Sequence, residues 1–312
     1  MTRPRATTLA LLLAAAPILT PAATRWGADY FPNVPLVTQD GKTVRLYDDL
    51  LKGKIVAIDL IYTHCKFSCP VETARLAQVQ RILGDRVGKD IFFYSITLDP
   101  ERDTPEVLKA YAEKFHVGPG WLFLTGKKED IKLVSKKLGL FAEAQLPESR
   151  DGHTPDLMVG NVATGQWMKN SAVDNPRFLA TMIGTFLRDA GGDRLASYAQ
   201  ASALTVTRGQ YLFATRCNAC HTIGEGDRVG PDLAGVTRAR DRGWLERYLA
   251  APDRMLAEGD PTAKALYERY ERVAMPNLSL GREEVSALLD YLAAPAPAAR
   301  GETRTMATLG RP

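Results

Sequence analysis

Residues 55–61, IVAIDLI, form an almost unbroken apolar run, the pattern of a strand buried on both faces, and the run leads directly into YTHC. Before it, VPLVTQDGKTVRLYDDL alternates around Asp40-Gly41 and reads as a small hairpin. After it, CPVETARLAQVQRIL carries apolar residues at helical spacing, with Pro70 near the first turn. IFFYSITLD reads as a second central strand. TPEVLKAYAEKF reads as a helix capped by Thr104, with Pro105 at its first position. The series continues with WLFLTG, the helix KEDIKLVSKKLGL, the strand DLMVGN, an edge strand at GQWM and a helix from Pro176 to about Arg188. Strands alternating with helices predict a central sheet covered on both faces.

The pattern changes at DAGGDRLASYAQASAL, a connector rich in Gly, Ala and Ser. Beyond it, TRGQYLFATRC, RGWLERYLAAP, TAKALYERYERV and REEVSALLDYLAA all carry helical periodicity and no strand pattern is present. The resulting organisation is a leader at 1–23, an α/β domain at 24–190, a linker at 191–204, an all-α domain at 205–295 and a loose tail at 296–312. The leader has Arg3 and Arg5, an apolar run around Leu9–Leu19 broken by Pro17, and small residues at Ala22–Ala23. That layout predicts export to the periplasm or beyond, with either cleavage or retention as an inner-membrane anchor. The lysine-rich stretch at 127–138 is interrupted by acids and reads as a solvated helix face.

Composition adds little to this picture: 45% hydrophobic and 24% charged residues over 312 positions suit a two-domain globular chain. The formal charge of +4 falls to +2 without Arg3 and Arg5, since the leader holds no acid, and nothing in that balance asks for nucleic acid. The four cysteines change the picture more. They fall into CxxxC at Cys65 and Cys69 and CxxCH at Cys217, Cys220 and His221, groupings poor for bracing a large fold and suited to local chemistry.

CxxCH is the pattern for covalent haem: two thiols reach the vinyl groups of one macrocycle, and the next residue offers an imidazole to iron. A zinc or redox CxxC is the competing reading of the spacing. His221 is the only histidine in this half, so a sixth ligand from within it must be another residue type, and methionine is the natural choice. Met275 lies on a proline-containing loop before the last helix, Met255 at the end of a helical segment and Met306 in the tail, which makes Met275 the candidate. Gly209, Phe213, CNACH, GPDLAG at 230–235, MPN at 275–277 and DYL at 290–292 together resemble a class I cytochrome c over residues 205–295. The resemblance implies one haem c, with Pro231 supporting the imidazole through its carbonyl. It also implies that Phe213 and Tyr291 help form the helix crossing over the haem.

Cys65 and Cys69 sit where a buried strand gives way to a helix, and one helical turn brings both thiols to the same side. The positive helix end favours their thiolates. Two thiolates suit Cu(I), and one imidazole would complete a site also open to Cu(II); a dithiol switch is equally compatible. His64 alternates away from Cys65, His116 closes a helix, and His153 lies in a turn-rich loop able to fold over the thiols. The segments THCKFSCP at 63–70, SITLDPERDTPEVLKAYAEKF at 95–115 and GHT at 152–154 resemble the Sco/SenC family of copper-binding, thioredoxin-like proteins, over roughly residues 30–188. That resemblance implies one copper held by Cys65, Cys69 and His153, with Asp99 as an acidic neighbour. Lys66 replaces the usual proline after the first cysteine, and Gly152 stands where aspartate is common, with Asp151 one place earlier. Lys66 favours a lower thiol pKa and repels a cation, shifting weight toward dithiol work. Pro155 is placed to support an active-site turn.

The joint expectation is a thioredoxin-like α/β domain followed by an all-α cytochrome c domain. As a whole it implies an exported copper-binding redox protein serving assembly of the binuclear copper site of cytochrome c oxidase, or another exported cuproprotein. Redox proteins are the other expected partners. Two other readings stay open: a copper-independent thiol-disulfide oxidoreductase in which Cys65 and Cys69 are the catalytic dithiol, and an electron-transfer module on a docking scaffold.

Overall fold

A computed structural model describes residues 26–65, 68–140, 154–186 and 206–294. The first domain is built on a seven-stranded sheet: β1 (Pro35–Thr38), β2 (Thr43–Arg45), β3 (Ile55–Ile61), β4 (Ile91–Thr97), β5 (Trp121–Thr125), β6 (Asp156–Asn161) and β7 (Gln166–Ser171). Their spatial order is β2-β1-β5-β4-β3-β6-β7. The three central strands β5, β4 and β3 run parallel, joined by α1 (Ser68–Leu83) and α2 (Pro105–Lys114). β1 and β6 flank them antiparallel.

All seven residues of β3 are buried, because the pleat sends alternate side chains into two different cores. Ile55, Ala57 and Ile61 join Phe93, Phe123, Leu157 and Val159 under α1, α2 and α4 (Pro176–Thr181). Val56, Ile58 and Leu60 join Tyr94, Ile96 and Leu124 under α3 (Lys128–Lys137) and the single wide helical turn Leu46–Leu51, which the hydrophobic pattern did not reveal. Ile131 and Val134 anchor α3, while Lys127, Lys128, Lys132 and Lys136 face solvent. Thr104 caps α2, its hydroxyl accepting from the Val107 amide.

The second domain is helical among its described residues. Its elements are α5 (Arg208–Leu212), prolonged by a wider turn to Cys217, then α6 (Val236–Ala239), α7 (Arg242–Ala250), α8 (Pro252–Ala257), α9 (Pro261–Arg269) and α10 (Arg282–Ala293). The short helices α6 and α8 carry too few residues to show a period in the sequence. α5 crosses α10 at Gly209, where a Cβ would lie 2.0 Å from the Ala287 carbonyl oxygen; only glycine lets the backbones approach this closely. No helix among the described residues is long and apolar enough to cross a membrane. The leader at 1–23 and the tail at 296–312 lie outside the described residues.

Candidate functional site

β3 delivers the chain at Ile61 into a tight turn, in which the Cys65 amide donates to the Tyr62 carbonyl at 3.1 Å. Cys69 lies in the first turn of α1 and is fully buried, and Cys65 is 6% exposed. Both are free thiols, hydrogen-bonded to each other, and the Tyr62 phenol bonds Cys65. Burial, the bond to Cys65 and the nearby Glu72 carboxylate push the Cys69 thiol well above its ordinary pKa. Burial and the same thiols raise the Tyr62 phenol too. Desolvation therefore outweighs the helix-end effect at Cys69, and the metal-free site holds a protonated thiol there. Lys66 lies outside the described residues.

Two carboxylates hold the thiol loop. Asp103 is fully buried and accepts from the Thr63 amide at 3.1 Å, the Thr63 hydroxyl at 2.5 Å and the Thr97 hydroxyl at 2.5 Å. It ties the turn before Cys65 to the end of β4. Sequence reasoning passed over this residue, although it lies inside the distinctive segment at 95–115. Asp99 is mostly buried at the same end of the sheet, its carboxylate 3.6 Å from His64 Nε2 and 3.7 Å from Arg102. His64 is exposed, with its ring centroid 4.9 Å from that of Tyr62. His116 follows α2 with φ of 52°, a turn role at the helix end.

His153 lies outside the described residues, as do Asp151 and Gly152. Thr154 and Pro155 lead into β6, whose first residues pair with the last residues of β3, Leu157 opposite Asp59. The chain just after His153 is thus at the end of the sheet from which the thiol loop departs. The Pro155 carbonyl accepts from the Ala172 amide at 2.7 Å, and no peptide bond among the described residues is cis. Among the described residues no three His, Cys, Asp or Glu side chains cluster as a metal site.

In the helical domain, His221 Nδ1 lies 2.9 Å from the Pro231 carbonyl. A carbonyl can only accept, so Nδ1 carries the proton and Nε2 keeps its lone pair. Gly230 packs on the ring, where a Cβ would fall 2.5 Å from His221 Cε1. Burial lowers the pKa of His221, which favours the neutral imidazole. A cavity of about 420 Å³ opens beside it, bounded by Cys217, Leu233, Trp244, Met275 and Leu288 among others. Met275 and His221 also share a smaller neighbouring cavity with Cys220. Met255 is buried and lines neither. Burial pushes both thiols, Cys217 and Cys220, up to about 12. The Phe213 and Tyr291 rings lie 5.8 Å apart at the α5–α10 crossing, and both line a third cavity beside His221. Two free thiols, an oriented imidazole, a thioether and an apolar cavity between them fit a covalently attached haem.

A family model described as SCO1/SenC matches residues 24–159, and one described as Cytochrome c matches residues 206–294. An SCO2-like protein of Rickettsia felis is 37% identical over 147 residues, 45% of this chain and 68% of that protein. The chain belongs to the SCO1/SenC family. A cytochrome c domain is fused behind the Sco domain. The SCO1 protein homolog of Bacillus subtilis is 38% identical over 118 residues; the match covers 36% of this chain and 58% of that relative's length. A structure of Bradyrhizobium japonicum ScoI with copper bound aligns with 50% of this chain and 99% of its own, at 29% identity and a TM-score of 0.41. In this Sco chain the parallel β3–α1–β4–α2–β5 core of the thioredoxin-like fold carries the thiol pair at the β3–α1 junction.

Proposed function

We propose that this chain takes up one copper ion through Cys65, Cys69 and His153. It then serves an exported cuproprotein, first of all the binuclear copper site of cytochrome c oxidase, by handing over copper or by reducing a disulfide between the acceptor's cysteines. The observation that carries the reading is the contact between Cys65 and Cys69 at the end of β3, with β6 starting beside it directly after the histidine motif. Two thiols in contact supply soft ligands at the right separation, and an imidazole from the adjoining loop completes a three-ligand set. Asp103 holds the turn before Cys65 through the Thr63 amide, and Asp99 lies against His64 beside it. The layout of residues 1–23 supports export to the periplasm or an equivalent compartment, free or anchored to the inner membrane. Haem held by Cys217, Cys220, His221 and Met275 supplies a one-electron centre on the same chain.

The experiment is a copper titration of the haem-loaded chain. The expected result is one copper per chain, selective loss of Cu(II) binding in His153→Ala, loss of both copper states in Cys65→Ser/Cys69→Ser, and an unaltered haem spectrum. Unchanged Cu(II) affinity in His153→Ala would remove that residue from the site. The thiol contact also favours a second reading, in which Cys65 and Cys69 close to a disulfide and pass two electrons and two protons to an acceptor disulfide. Full thiol-exchange activity in copper-free His153→Ala would select it.

A further inference from the structure

α1 is buried along twelve consecutive residues, Cys69 to Gln80, on every face. A surface helix normally hides one stripe, and α1 hides Glu72, Arg75, Gln78 and Gln80 as well. Gln80 is spent inside its own domain, on the Gly118 and Pro119 carbonyls. Arg75 and Gln78 reach the other domain. The Arg75 guanidinium, 1% exposed, donates to the Thr215 carbonyl at 2.8 Å and to Asn218 Oδ1 at 2.8 Å. A third donation goes to Gln78 Oε1 at 2.8 Å, and Gln78 Nε2 donates to the Asn218 carbonyl at 2.5 Å.

Two of these acceptors, the Thr215 and Asn218 carbonyls, lie at the end of the helix that runs through α5 into CNACH. A helix C-terminus leaves such carbonyls unpaired and carries partial negative charge, so a buried cation is well placed there. The apolar core beneath Cys65 and Cys69 continues across the same boundary to Ala219, with Cys220, Val229 and Val273 packed on it. Pro70, the residue after Cys69, lines one cavity together with Cys220, His221 and Met275.

From these contacts we infer that the partner of the thiol site is the chain's own cytochrome c domain, docked on α1 by Arg75 and Gln78 so that Pro70 becomes a shared wall between the thiol pair and the smaller cavity bounded by Cys220, His221 and Met275. Arg75 is a positioning residue: it touches neither copper nor haem ligands and acts by holding the CNACH segment. The inference rests on the copper reading for its purpose, though not for its geometry. A domain tethered by the linker alone would sample many orientations at a modest effective concentration, whereas this contact selects one.

The test compares the full-length, haem-loaded wild type with Arg75→Ala and, from the opposite surface, Asn218→Ala. Amide hydrogen exchange over 214–220 and along α1 is the first readout. The expected outcome is a loss of protection of about tenfold or more in both variants, with circular dichroism unchanged. The second readout is transfer of one electron from ferrous haem iron to bound Cu(II), giving ferric iron and Cu(I) with no proton exchanged. In wild type this should be first-order and independent of protein concentration, and at least tenfold slower in both variants. Wild-type protection and wild-type rate in both variants would overturn the docking. Should Arg75→Ala misfold, Asn218→Ala decides alone. A chain that takes up no copper yet loses protection in the variants refutes the copper reading and keeps the docking.

Discussion

Asp103 is fully buried, with two threonines on its carboxylate. Removing it leaves the Thr63 amide and two hydroxyls without their acceptor in a place water does not reach. Asp103→Ala should therefore destabilise the Sco domain by about 3 kcal/mol, the scale of losing charge-assisted hydrogen bonds in a buried site. Urea unfolding measures this, and an effect under 1 kcal/mol would mean the loop repacks without it. The cysteines and His221 are legible in the sequence because spacing alone marks them. Asp103 is not, since DPERDTP holds three acidic side chains and only the fold decides which one turns inward under Thr63.

Between α5 and α10 the decisive contact is an absence of side chain. Gly209→Ala should lower the thermal midpoint of the cytochrome c domain, because its new methyl would strike the Ala287 carbonyl and Tyr291. The loss should appear as an earlier transition in haem absorbance; an unchanged midpoint would show that α10 yields freely. The GPDLAG loop depends on Asp232, which accepts from the Gly224, Gly226 and Ala234 amides and the Thr222 hydroxyl. Those bonds hold its carboxyl well below the usual carboxylate range. A depressed folded pKa gives stability that is fully present above the unfolded value near ~4 and lost as pH falls through the folded one. The stability difference between wild type and Asp232→Asn should thus be constant above about pH 5 and shrink below about pH 4, as followed by denaturant titration at several pH values. Element by element, strands such as β3 are readable because burial on both faces leaves a continuous apolar run. The wide turn at 46–51 is not, because LYDDLL takes its shape from packing under the sheet rather than from any period of its own.

At the scale of the whole molecule the two halves share a core boundary, and the sequence hides it. Arg75 and Gln78 make α1 look like an ordinary helix with a wet side, and the second domain explains why that side is dry. The halves should therefore lose stability together. In Gly209→Ala the Sco domain's own transition should also shift downward, by about 2–4 °C for each kcal/mol of docking energy lost. Differential scanning calorimetry on the haem-loaded chain reads both transitions, and independent Sco unfolding would contradict a shared boundary.

The side of the thiol loop that bears His64 and Arg102 stays open to solvent while α1 is covered. On the proposed reading, an outside acceptor and the attached cytochrome c domain would meet the thiol pair from different directions and would not compete for one doorway. The kinetic consequence is a ternary complex: the acceptor can be bound while the internal partner remains seated, so steady-state plots should intersect instead of running parallel as they would for a shuttle that must release one partner before meeting the next.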